Sequence, residues 1–209
     1  MSQVLTFDEK EHIYRLGDEI LPSVTEVIKG AGLAGDFMPD PWYLQRGSLV
    51  HAASALLDRN DLDESSLDPA IAGYVQGYRN FLKETGFVPE VIEVPRFNPK
   101  LMFAGTPDRV GRLDGEGIVL DLKTGVSRPR WHRLQTAAYV LLSPEHPEKR
   151  AALYLAADGG YSLVEHADPN DSPTFMSFTR PQNSNGLAGW NTSRPKPASA
   201  STHGSWMPW

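Results

Sequence analysis

Not one of the 209 residues is a cysteine, which excludes structural disulfides, cysteine nucleophiles, zinc–cysteine sites and cysteine-ligated iron–sulfur clusters in one step. Long apolar runs are missing too. Nowhere do about 18 apolar residues follow one another, as a membrane span needs, and Asp8-Glu9-Lys10-Glu11 interrupts the N-terminus before a signal-peptide core could form. A soluble cytoplasmic protein is the expectation. Positive charge is scarce, with 20 Lys and Arg against 26 Asp and Glu and a formal net charge of -6. A generally basic nucleic-acid coat is therefore excluded, and any such contact must come from a local patch. No internal repeat is evident.

At this length the chain can bury a sizeable core, and one domain with an appended segment is expected. Val4–Phe7 and His12–Leu16 read as short strands, followed by a helix capped at Pro22-Ser23 and ending near Gly30 or Gly32. Pro39-Asp40-Pro41 breaks the chain before a helix over Trp42–Arg59. Asp58–Asp68 carries five acidic residues against one arginine and reads as a solvated loop. Pro69–Gly86 has helical spacing at Ile71, Val75, Tyr78 and Leu82. Three successive strands follow at Val91–Phe97, Leu101–Gly111 and Gly117–Lys123, then a helix over Pro129–Leu142, then strands at Ala151–Ala156 and Tyr161–His166. This order predicts an α/β or α+β mixed sheet. From about Asp168 the composition turns to Pro, Ser, Thr, Asn and Gly, so 1–167 is taken as the folded domain and 168–209 as a largely disordered tail. Arg180, Arg194 and Lys196, with no acid among them, would suit a weak nucleic-acid-contacting arm.

The most telling residues lie around Asp114-Gly115, a dipeptide that favours a two-residue hairpin turn. Such a turn pairs Leu113 with Glu116 and Arg112 with Gly117, and so sets Asp108 opposite Asp121; a loop two residues longer would make them diagonal neighbours. Strand parity places Val119, Asp121 and Lys123 on one face and Ile118, Leu120 and Leu122 on the other. Like charges facing each other on a sheet are destabilising. The arrangement therefore wants a cation, and a hard ion such as Mg2+ suits carboxylates. A charged, solvated turn would present the same residues, so others must discriminate.

Four further features converge on this hairpin. Gly105-Thr106-Pro107-Asp108 allows close backbone approach ahead of the carboxylate. Arg46-Gly47-Ser48-Leu49-Val50-His51 sets Gly47 and His51 one helical turn apart, although a lone helical histidine is also an ordinary surface residue. Gln135 and Tyr139 share a helix face, as amphipathic packing alone would also arrange. Finally, no acid occurs between Leu122 and Pro144, while Lys123, Arg128, Arg130 and Arg133 are positive. Those residues offer phosphate contacts, and Trp131 among them could stack on a base or pack beneath the helix.

Taken together, His51, the G-x-x-D ending at Asp108, Asp121-Leu122-Lys123, and Gln135 with Tyr139 closely resemble the RecB-like, phage-type exonuclease branch of the PD-(D/E)XK nuclease superfamily over about residues 46–139. The resemblance implies a restriction-endonuclease-like mixed β-sheet flanked by helices. It implies Mg2+- or Mn2+-dependent DNA cleavage, as an exonuclease of recombination or repair in a bacterial or phage-infected cell. Asp108, Asp121 and the Leu122 carbonyl match the metal ligands, and His51 matches an additional one. Lys123 matches the residue that orients or deprotonates the attacking water, and Gln135 and Tyr139 match the motif that positions DNA and that lysine. Glu93, on the preceding strand, is a further acidic candidate. Arg128, Arg130 and Arg133 are expected to contact DNA, and a recombination partner protein is a possible associate. The absence of cysteine excludes the branch's iron–sulfur members. The alternative is a catalytically weak DNA-binding or recombination-partner module with the same fold.

Overall fold

The computed structural model describes residues 4–34 and 40–179. The expectations for Pro39 and for the tail beyond Thr179 lie outside these residues. Strands β1 (Leu5–Asp8), β2 (Ile13–Leu16) and β3 (Glu19–Leu21) form a small antiparallel sheet. Helix α1 (Val24–Gly30) starts from a capping box, in which Ser23 and Glu26 each accept the other's backbone N–H. Helices α2 (Pro41–Asp58) and α3 (Pro69–Thr85) both begin with an aspartate cap followed by proline, at Asp40-Pro41 and Asp68-Pro69. Gly86, at φ 66°, ends α3 in the left-handed region.

The central sheet contains β4 (Val88–Ile92), β7 (Arg109–Leu113), β8 (Glu116–Lys123), β9 (Lys149–Leu155) and β10 (Tyr161–Glu165), in the order β10-β9-β8-β7-β4. Only β8 and β9 run parallel, joined through helix α4 (Trp131–Leu142), so the sheet is mixed as expected. Alternation along β8 divides the core. Ile118, Leu120 and Leu122 pack with α2 and α3 residues such as Val50, Val75 and Phe81. Val119 faces the other way, against Val27, Ala138 and Leu142 of α1 and α4.

Two of the predicted strands are broken. Val91–Phe97 divides into β4 and β5 (Arg96–Asn98), and Leu101–Gly111 into β6 (Phe103–Gly105) and β7. Pro95 and Pro107, which sit in the gaps, have no N–H to give a ladder. β5 and β6 pair only with each other as a short ribbon, held beside α1 by a bridge between Ser23 and Ala104. β3 was not expected at all.

The boundary drawn at Asp168 also moves. Asp171–Thr179 forms a helix, α5, whose Phe175 is fully buried against Phe103, with ring centroids 5.0 Å apart. Arg150 Nη2 donates to Asp171 Oδ2 at 2.8 Å and fastens the helix to β9. Asp171–Thr179 is therefore part of the packed unit. Phe175→Ala is expected to lower the unfolding free energy by about 3–5 kcal/mol in a urea titration. An unchanged midpoint would detach α5 from the core.

Candidate active site

Asp114 and Gly115 have φ of 53° and 82°, the left-handed pair that a two-residue hairpin turn requires. The register that results pairs Leu113 with Glu116 and Arg109 with Leu120. One step further, Asp108 stands against Asp121. The break at Pro107 leaves Asp108 just outside the strand, where its Oδ2 accepts the Leu122 N–H at 2.7 Å in place of a ladder partner. Both carboxylates are buried, Asp108 at 8% and Asp121 at 1% exposure.

Lys123 lies two residues on from Asp121 and therefore on its face of the sheet. Its Nζ is 2.6 Å from Asp121 Oδ2 and donates to Gln135 Oε1 at 3.1 Å. Gln135 Nε2 in turn donates to the Tyr139 hydroxyl at 3.0 Å. The two α4 residues, one turn apart, thus form a relay that ends in the cleft. On the other side α2 brings in His51, with Nε2 3.2 Å from the Leu122 carbonyl oxygen and Nδ1 3.4 Å from Asp108 Oδ1. Glu93 Oε1 is 3.8 Å from the same Nδ1. Glu93 has φ 52°, a left-handed conformation that costs a non-glycine residue about 1–2 kcal/mol, and its N–H is held by the Asp108 carbonyl at 3.1 Å. Gly105 lets Val24 and Leu142 approach closely: a Cβ there would lie 2.9 Å from Val24 Cγ2 and 3.0 Å from Leu142 Cδ1.

The electrostatics are asymmetric. Burial alone would raise Asp108, but His51, Lys123 and the Leu122 N–H outweigh it and hold its carboxyl below the usual range. Asp121 goes the other way: burial pushes it up, the neighbouring Asp108 adds to the shift, and Lys123 only partly offsets it. Burial works against a charged His51, yet the Asp108 carboxylate prevails and raises it.

A family model of the PD-(D/E)XK nuclease superfamily matches residues 59–196. The chain belongs to that superfamily. The matched span holds Asp108, Asp121, Lys123, Gln135 and Tyr139, while His51 precedes it. None of the curated proteins matches. Two solved structures are similar in part. One is the crystal structure of SSO0001, at 18% identity and TM-score 0.35, over 74% of this chain and 80% of that one. The other is LHK-Exo in complex with dAMP, at 14% identity and TM-score 0.37, over 76% and 84%.

Members of this superfamily generally use divalent metals. Among the described residues, no group of three or more His, Cys, Asp and Glu side chains already converges on one point. The donors nevertheless fit a hard cation, because two buried carboxylates, Asp108 and Asp121, stand side by side with the Lys123 ammonium on Asp121 Oδ2 and the Leu122 carbonyl between Asp121 and Lys123 in the chain.

Two residues beneath the candidate site carry no signal of their pairing in the local sequence. Arg109 is fully buried; it pairs with Asp58, donates to the Asp108 carbonyl at 2.6 Å and to Ser54 Oγ at 3.0 Å, and reaches Glu93 Oε1 at 3.4 Å. Asp58, expected in a solvated loop, is instead inaccessible and also accepts the Tyr78 hydroxyl. Burial pushes its carboxyl up against the pull of Arg109. Alternation could have flagged Arg109, which shares the core-facing side of its strand with Leu113, but its partner lies 51 residues away.

The basic segment divides as well. Arg128 and Arg130 are exposed, Arg128 lying 4.7 Å over the Tyr154 ring. Arg133, also exposed and expected to contact DNA, pairs with Asp168 at 3.2 Å and Asp171 at 3.0 Å. Trp131 packs against the α1–α4 core rather than standing free. Arg109→Met is expected to cost about 3–5 kcal/mol because it strands a buried carboxylate, and adding Asp58→Leu should recover most of that loss. A double-mutant cycle by chemical denaturation checks both.

Proposed function

We propose that this PD-(D/E)XK protein hydrolyses phosphodiester bonds of DNA with the help of Mg2+ or Mn2+. The observation that carries the reading is the buried Asp108 and Asp121 pair, with Lys123 suspended between Asp121 and Gln135. Asp108, Asp121 and the Leu122 carbonyl would hold the cation, with His51 and Glu93 beside them. When bound, such a cation polarises a phosphoryl oxygen and offsets developing charge. Lys123 brings an ammonium to the same place, where it orients the attacking water and stabilises the negative charge that builds on the phosphate.

Gln135 fixes the lysine, since its carbonyl faces Nζ while its amide N–H is engaged by Tyr139. Burial raises the Tyr139 phenol well above its ordinary value, so it stays neutral and keeps a proton to donate into the cleft. Arg128 and Arg130 supply phosphate contacts without reading sequence. The exonuclease mode, the role in recombination or repair of phage or bacterial DNA, a recombination partner protein and a cytoplasmic setting all rest on the resemblance of the motif set to the RecB-like branch. No helix among the described residues is long and apolar enough to cross a membrane.

Purified protein is to be incubated with linear and closed-circular DNA and Mg2+ or Mn2+, beside Asp121→Ala and Lys123→Ala. Degradation of the linear form, sparing of circles and a loss of about 100-fold or more in each variant are expected. Equal degradation by all three proteins would contradict the proposal. DNA binding without hydrolysis would fit the catalytically weak module instead.

A further inference from the structure

The cleft has a second wall, and it is aromatic. Phe7 on β1 and Tyr14 on β2 are cross-strand partners whose rings stack at 4.4 Å with 20° between planes. His12 stands edge-on to both, at 5.3 Å and 5.6 Å. Tyr14 is buried, and its hydroxyl lies 2.8 Å from Thr106 Oγ1, which fastens the hairpin to the segment carrying Asp108. Half-buried Phe7 and exposed His12 line a cavity of about 530 Å³ that Asp108 and Tyr139 also line. That volume is within the range of sites that enclose small ligands, about 300–1,000 Å³. His12 has φ 52°, a left-handed conformation of the kind that a functional position can retain at some cost.

Charge decides which part of a polynucleotide faces this wall. The cavity is lined by Glu9 and Glu93 as well as Asp108 and by no Lys or Arg, so beyond the cation that Asp108 would hold it offers a phosphate no fixed positive charge. The exposed cations Arg128 and Arg130 lie instead on the segment between β8 and α4. Bases carry no charge and stack on aromatic rings regardless of identity.

We infer that Phe7 and His12, backed by Tyr14, form a nucleobase subsite that stacks the base next to the bond being cleaved. The subsite rests on the nuclease reading for the chemistry beside it, but base stacking is measurable without hydrolysis, so the two can fail separately. The test uses the full chain, in chelator and at low ionic strength, with a single-stranded oligonucleotide ending in fluorescent 2-aminopurine.

Wild type is expected to quench the terminal base and to bind an abasic-ended oligonucleotide about tenfold more weakly. Phe7→Leu and the exposed-site variant His12→Ala should each lose the quenching and the preference for a base, while Phe7→Trp keeps both. Thermal unfolding of each variant establishes that it is folded, and His12→Ala carries the test if Phe7→Leu is not. The inference is overturned if wild type shows no quenching, if quenching is equal in wild type and His12→Ala, or if abasic and intact ends bind equally. Quenching of the free 2-aminopurine nucleotide but not of the oligonucleotide would also overturn it, because the subsite would then belong to a mononucleotide.

Discussion

Asp121 is 1% exposed, and the strand register that buries it also brings Asp108 up beside it. Folding therefore forces two carboxylates into one poorly solvated place, and much of the surrounding structure compensates for that. The Leu122 N–H and His51 stabilise Asp108 as an anion, which leaves Asp121 to absorb the repulsion. Lys123, 2.6 Å from Asp121 Oδ2, offsets it only in part. One lysine for two buried carboxylates leaves room for the cation proposed above, so the strain in the fold and the proposed chemistry share one cause.

The two layers of helices serve this pair from opposite sides. On the α2–α3 side, Arg109 bonds the Asp108 carbonyl while pairing with Asp58 and approaching Glu93. The backbone behind the carboxylate is thereby held by a charged group with no route to solvent, an arrangement that is costly to disturb. On the α4 side, Gln135 and Tyr139 set the lysine. The N-terminal sheet adds the third boundary through Tyr14 and Thr106. Rigid elements therefore converge on a cleft in which the side chains have little freedom to drift.

Local signals were legible in the sequence. Asp114-Gly115 determines its own turn type, the turn determines the register, and parity then assigns every side chain of β8 to a face. The facing of Asp108 and Asp121 and the placing of Lys123 followed from that, and the mixed sheet followed from the order of the elements. Long-range pairings were not legible. Asp58 belongs to an acid-rich stretch, and nothing nearby in the chain shows that Arg109 will draw it inward. Arg133 looked free because the acids that neutralise it lie at Asp168 and Asp171. Helix α5 lacks an apolar period and is held by Phe175 and a charged clamp, so tertiary packing rather than local pattern accounts for it. The broken strands were readable in principle, since Pro95 and Pro107 mark both breaks.

The central claim is that Asp121 is held in an unfavourable ionised state that a cation relieves, and thermal unfolding of wild type and Asp121→Asn, each in chelator and with Mn2+, tests it most directly. A raised carboxyl pKa means that folding disfavours the charged form, so in chelator the asparagine variant should unfold at the higher temperature. Mn2+ should raise the wild-type midpoint and leave the variant nearly where it was, since only the wild type gains binding energy in the folded state. A wild type indifferent to Mn2+, or a variant that rises equally with it, would contradict the account.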